Sequence, residues 1–137
     1  MTCTFFGHRD APIVIKTQLK KVLTDLIENR EMCNFYIGNH GSFDSMVLNV
    51  LTELKQTYTH INFAVVLAYL TDEKEGCDSV YPEGLECVPP RFAISARNKW
   101  MIEKSDCVIT YVSRNFGGAA QFKELAEKKG KTVINLA

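Results

Sequence analysis

Ile15, Leu19, Val22, Leu23, Leu26 and Ile27 recur at i, i+4, i+7 and i+8, which gathers apolar side chains on one face of an α-helix. Phe43, Met46, Val47, Val50, Leu51 and Leu54 trace a second such face. Two more helices are expected over Arg91–Lys104 and Ala119–Lys129, with Gly130 stopping the last in a C′ position. Pro12 sits where a first helical turn would begin, and Ser42 reads as an N-cap with Asp44 against the positive helix end. Between these lie short apolar or β-branched runs that predict strands: Thr2–Phe6, Asn34–Ile37, Ile61–Leu70, Asp106–Val112 and Thr132–Leu136. The 61–70 run is nearly continuous in apolar residues, so a central strand covered on both faces is expected there. Only Thr71–Pro90 lacks a period. It holds acids, Gly76, Gly84, Pro82, Pro89 and Pro90, and reads as a loop or flap near the site.

The order β-α-β-α-β-loop-α-β-α-β predicts one domain over residues 1–137. Its fold class is α/β, a three-layer α/β/α sandwich with a mainly parallel, Rossmann-like five-stranded sheet. In such a fold the ligand site lies beyond the carboxyl ends of the strands, where the strand order switches direction.

Composition narrows the function. Sixteen basic and sixteen acidic residues cancel, which argues against nucleic-acid or membrane-surface binding. The longest apolar run is too short to span a bilayer, and Met1-Thr-Cys-Thr-Phe-Phe has no secretory pattern. The five cysteines are scattered without a CxxC pair, so neither a disulfide framework nor zinc is expected, and Cys3 and Cys107 read as buried free thiols. A cytoplasmic location fits this usage best.

The topology places three glycine-bearing loops on one rim: Gly7-His8-Arg9, Gly38-Asn39-His40-Gly41 and Ser113-Arg114-Asn115-Phe116-Gly117-Gly118. Together they bring two histidines and two arginines to one edge of a protein with no net charge, which points to an anionic ligand. The third loop follows a strand and opens a helix, so its free N–H groups suit a phosphate; tight packing is the other use of a Gly-Gly turn. Arg97 shares a helix face with Ala93, Ile94, Trp100 and Met101. A guanidinium on that face needs a phosphate, an acid such as Asp106, or a route to the surface. His60 reads as a turn residue, and Asp72, Glu73 and Glu75 as a solvated loop face. His8 and His40 have no third metal ligand at a telling spacing, and Ser113 has no glycine elbow. Trp100 reads as core, while Phe116 could stack on a base.

These motifs resemble the SLOG superfamily of Rossmann-like nucleotide-binding domains. The resemblance rests on Phe6-Gly-His-Arg9, the turn Gly38–Gly41 with Asp44, Arg97-Asn98 before Ser105-Asp106, and Gly117-Gly118 after the fourth strand. That superfamily includes the LOG phosphoribohydrolases, the DNA-processing protein A domain and stand-alone bacterial and phage proteins with a Gly-His-Arg start, to which this chain is most similar. The resemblance implies a ligand site of Gly7, His8, Arg9, Gly38, Asn39, His40, Gly41, Asp44, Arg97, Asn98, Ser113, Arg114, Asn115, Phe116, Gly117 and Gly118, with His8, Arg9 and Arg97 supplying charge. It implies a nucleotide-derived ligand, ADP-ribose-like or a cyclic nucleotide, held by a sensor or sequestering protein as in antiphage signalling, and a homo-oligomer. It implies no metal and no other cofactor. The alternative it leaves open is a LOG-type nucleoside 5′-monophosphate phosphoribohydrolase with Arg97 as phosphate clamp and Glu124 as acid/base. LOG enzymes have Gly-Thr where this chain has Ala120-Gln121, which implies that phosphate is held differently here. DNA binding, the third reading, lacks a basic stripe.

Overall fold

The computed structural model describes residues 1–73 and 78–137, so Glu75, Gly76 and Cys77 lie outside the described residues. Six strands form one sheet: β1 (Thr2–Gly7), β2 (Asn34–Ile37), β3 (Asn62–Val66), β4 (Ser79–Val80), β5 (Cys107–Tyr111) and β6 (Thr132–Asn135). Their order is β4-β3-β2-β1-β5-β6, and every pairing is parallel. The expected parallel α/β sandwich is therefore present. It has a sixth strand because two residues of the aperiodic 71–90 segment pair with β3.

The helices α1 (Lys16–Asn29) and α2 (Ser42–Thr57) cover one face of the sheet, and α3 (Ala93–Lys104) and α4 (Gly118–Lys128) cover the other. Strand alternation explains how one strand serves both layers. Phe5 joins the core of α1 and α2, stacked 6.2 Å from Phe35, while Phe6 joins that of α3 and α4, 5.6 Å from Phe122. β1 is therefore the central strand. β3 is shorter than expected and lies one strand in from the edge; its first three residues are exposed or half-buried, and only Val65 and Val66 are buried. The strand ends at Val66, with the Leu67 N–H still donating to the Val80 carbonyl at 2.8 Å, and Leu67 and Ala68 stay buried, which is why the apolar run outlasts the strand.

Three local expectations change. Pro12 precedes a 3-10 turn (Ile13–Ile15) that leads into α1, rather than opening the helix itself. Gly41, not Ser42, is the N-cap of α2. The Ser42 hydroxyl instead donates to the Arg9 carbonyl at 2.6 Å, with Ala11 O at 3.2 Å, stitching the loop after β1 to the start of α2. The described parts of the 71–90 segment are docked, with Leu85 buried and the Tyr69 hydroxyl donating to the Pro90 carbonyl at 2.9 Å.

Cys3 and Cys107 are buried free thiols on register partners of β1 and β5. Among the described residues no helix is long and apolar enough to cross a membrane.

The most closely packed glycine among the described residues is where β1 ends. A Cβ on Gly7 would lie 2.3 Å from the Phe43 ring, which is itself buried at the start of α2. Gly7→Ala must therefore displace that ring or the strand, at a cost of about 1–3 kcal/mol. Urea denaturation should show the loss, and a variant as stable as the wild type would mean the ring moves freely.

Candidate functional site

β1 pairs with β2 on one side and β5 on the other, so the chain winds in opposite directions from β1 and the loops after β1 and β5 part above the sheet. A cleft of about 340 Å³ opens there. Gly7, His8 and Arg9 line it from β1, Gly38, His40 and Asp44 from β2 and α2, and Arg114, Gly117 and Gly118 from the β5 loop. Arg97 and Asn98 of α3 complete the polar wall, over a floor that includes Ile94, Met101 and Phe122. Two glycines shape its helix starts. Gly41 (φ 91°) and Gly117 (φ 95°) are the N-caps of α2 and α4, in a conformation that L side chains rarely adopt.

Arg97 is 3% exposed. Its Nε donates to Asn98 Oδ1 (2.8 Å) and its Nη1 to Asn39 Oδ1 and the Val66 carbonyl (both 3.1 Å). Its Nη2, a donor only, faces His40 Nδ1 at 3.5 Å. These partners are all neutral, and among the described residues Arg97 forms no ion pair. Asp106, one acid open to it from sequence, is elsewhere and accepts the Thr2 N–H at 3.0 Å. Burial lowers the Arg97 pKa, opposed by the charges of Asp44 and Asp72.

The histidines do not add charge. His8 is buried, and its Nε2 accepts the Ser113 N–H at 3.1 Å, which requires a neutral ring protonated on Nδ1. Burial, and then Arg114, depress its pKa further. His8 is thus a latch between the β1 and β5 loops, not the cation expected from sequence. His40 is likewise held down by burial and by Arg97. Arg114 is paired with Asp10 at 3.2 Å, so Arg9 and Arg97 are the lining cations without an ion pair among the described residues.

Several expected residues lie apart from the cleft. Gly41 packs against Arg9, whose Cα would be 3.0 Å from a Cβ there. Asn39 touches the cleft only through Arg97 and lines a smaller cavity. Phe116 is 66% exposed beneath the Arg114 guanidinium, outside the cleft wall. Ser113, Asn115 and Glu124 border another depression, which shares Arg114 with the cleft. Glu124 is solvent-exposed and paired with Lys128, so the fold does not bring it to the cleft that Arg97 lines.

Sequence reasoning missed a second, smaller cavity. A slot of about 110 Å³ on the α2 side is walled by Leu48, Val65 and Leu67, with Asp72 and Ser79 among its polar residues. Asp72 is therefore a lining residue, accepting from Asn39 Nδ2 at 3.5 Å, rather than part of a solvated face. Nothing in the sequence marks it, because the 3-10 turn after β3 brings it there. Gly38 and Asp44 belong to both cavities.

No protein-family model and no curated protein matches this sequence. Among solved structures, the X-ray structure of DNA processing protein A (DprA) from Streptococcus pneumoniae is similar to 98% of the chain at a TM-score of 0.72 and 17% identity. The chain spans about half of that protein, 49% of its length. They share a fold. At that identity the likeness establishes the three-layer parallel architecture and nothing about the ligand.

Asp44 gives the site a pH signature. Its Oδ2 accepts the His40 N–H at 3.0 Å, yet burial raises its pKa to about 6 against the pull of that bond and of Arg97. An unfolded aspartate titrates near about 4. The folded state thus holds the proton more tightly, and stability falls as pH rises from about 4 to about 6. Asp44→Asn cannot ionise. Its stability relative to wild type should therefore rise by on the order of 2 kcal/mol between about pH 4 and pH 7. Urea titrations at both pH values check this, and a constant difference would contradict it.

Proposed function

We propose that this chain is a SLOG-type domain that binds a nucleotide-derived, phosphate-bearing small molecule, ADP-ribose-like or a cyclic nucleotide second messenger. In this reading it acts as a cytoplasmic sensor or sequestering protein, in phage or antiphage signalling, and works as a homo-oligomer. One observation carries the binding step: a buried guanidinium at the cleft wall whose hydrogen-bond partners are all neutral. Burying a charge without a paired counter-charge is costly, and an anionic ligand would offset that cost. The Gly117–Gly118 turn at the start of α4 supports the same reading, since it lines the cleft with backbone that has no side chain in the way.

The hydrolase alternative needs Arg97 and Glu124 on one ligand; Glu124 does not line the Arg97 cleft and is exposed beside Lys128, which favours binding without cleavage. Zero net charge argues against the DNA reading, even though the fold is shared with a DNA-processing protein.

Thermal-shift assays against AMP, ADP-ribose, NAD, cyclic ADP-ribose isomers, cyclic dinucleotides and a single-stranded oligonucleotide test this. Chromatography afterwards shows whether the ligand survives. A small-molecule ligand at a hundred times its dissociation constant should add about 2.7 kcal/mol of stability and be recovered whole. Arg97→Lys keeps the charge but loses the planar fork, and should weaken binding about tenfold or more. Glu124→Gln should leave affinity and recovery unchanged. Release of free base would reinstate the enzyme, and silence across the panel would remove the nucleotide reading.

A further inference from the structure

The cleft and the slot meet at one point. Gly38 and Asp44 line both, and a Cβ on Gly38 would stand 2.7 Å from Asp44 Oδ2 and 3.5 Å from the Arg97 Cζ. Having no side chain, Gly38 lets the Asp44 carboxylate pack against the strand end, with the Arg97 guanidinium on its other side, where the two cavities adjoin. The two ends differ in chemistry. The cleft offers Arg97, Arg9 and the Gly117–Gly118 backbone, all suited to an anion. The slot offers Leu48, Val65 and Leu67, with Asp44 and Asp72 on its polar side, and two carboxylates repel a phosphate. An uncharged, flat, apolar group that also carries hydrogen-bond donors suits it instead. At the junction, Asp44 Oδ2 is engaged by the His40 N–H, while Oδ1 has no hydrogen-bond partner among the described residues. An ionised carboxylate only accepts, so what passes it must donate.

We propose that cleft and slot form one bipartite site that takes a ribonucleotide end-on. Phosphate rests on Arg97 and the Gly117–Gly118 turn, the ribose spans Gly38 with its hydroxyls donating to Asp44, and the base fills the Leu48–Val65–Leu67 slot. Asp44 is then the residue that selects ribose over a sugar lacking its hydroxyls, and Leu48 helps to select for a base. The inference rests on the nucleotide-binding reading above and adds the polarity of the ligand and the residues that read each part.

Calorimetric titration of the full chain near neutral pH tests it. The probes are the four common ribonucleoside 5′-monophosphates, the 2′,3′-dideoxy counterpart of the tightest, ribose 5-phosphate and inorganic phosphate. The tightest monophosphate should exceed ribose 5-phosphate about tenfold or more, and removing both hydroxyls should cost it about as much again. Leu48 is only partly buried, so Leu48→Phe should narrow the slot without unfolding the chain. It should erase the advantage of the base and leave ribose 5-phosphate affinity intact. Asp44→Asn should weaken the ribonucleotide, and the dideoxy form should lose nothing further in that variant, because hydroxyls and carboxylate act as one pair. Equal affinity for nucleotide and ribose 5-phosphate, unmoved by Leu48→Phe, would overturn the bipartite site while phosphate binding stood. No binding by any probe would overturn this inference and the reading beneath it together.

Discussion

The site depends on one buried positive charge. The Arg97 guanidinium ties together three separate pieces of chain: the end of β3 through Val66 O, the β2–α2 loop through Asn39 and His40, and α3 through Asn98. A fork of five donors can do this with neutral acceptors alone, while the carboxylates of Asp44 and Asp72 act on its charge only through space. The remaining electrostatic cost is what makes the cleft receptive to an anion. Lysine at this position, with a compact ammonium on a flexible stem, could not bridge the same acceptors.

Close approach between backbone and side chain holds the rest in register. Gly7 admits the Phe43 ring at the end of β1, and Gly41 admits the Arg9 backbone at the start of α2. Ser42 then fixes the β1 loop to α2, and His8 fixes it to the β5 loop. A neutral imidazole suits that task, since it can accept a backbone N–H in a buried place without adding a charge. Glycine contacts and hydrogen bonds to neutral groups build much of the cleft wall, Arg114 is paired with Asp10, and Arg9 and Arg97 carry no ion pair among the described residues. Asp44 introduces the opposite sign at the edge of this arrangement. It lies against the boundary between the two cavities, and its raised pKa follows from the same burial that confines Arg97.

Much of this was legible from residue order. The heptad-like spacing in α1 and α2 and the β-branched runs of β1, β2 and β5 specify their elements to within a residue or two, because local periodicity records which face is buried. The glycine loops do meet around one cleft, and Arg97, which its helix face left between burial and a route to the surface, is buried. The failures share a cause. Ile61–Leu70 looked like a central strand because apolarity records burial, not hydrogen bonding: Ala68 is buried past the bond from the Leu67 N–H to Val80 O. Ser42 looked like a cap because its nearest partners in space, Arg9 and Ala11, are more than thirty residues away in sequence. His8 looked like a cation because protonation depends on a partner, the Ser113 N–H, that pattern cannot supply.

By itself the sequence determined the alternation of strands and helices, the rim where their loops collect, and the residue types available there. Those follow from short-range forces that any stretch expresses wherever it lies. Only the tertiary structure decided which of these residues share a cavity. It brought Asp72, in the 3-10 turn after β3, and Ser79, by the pairing of β4 with β3, into one slot with Leu48, set Asp44 between cleft and slot, and left Glu124 paired with Lys128 outside the cleft. Charge state and adjacency are properties of the packed chain, because both depend on solvent exclusion by residues distant in sequence.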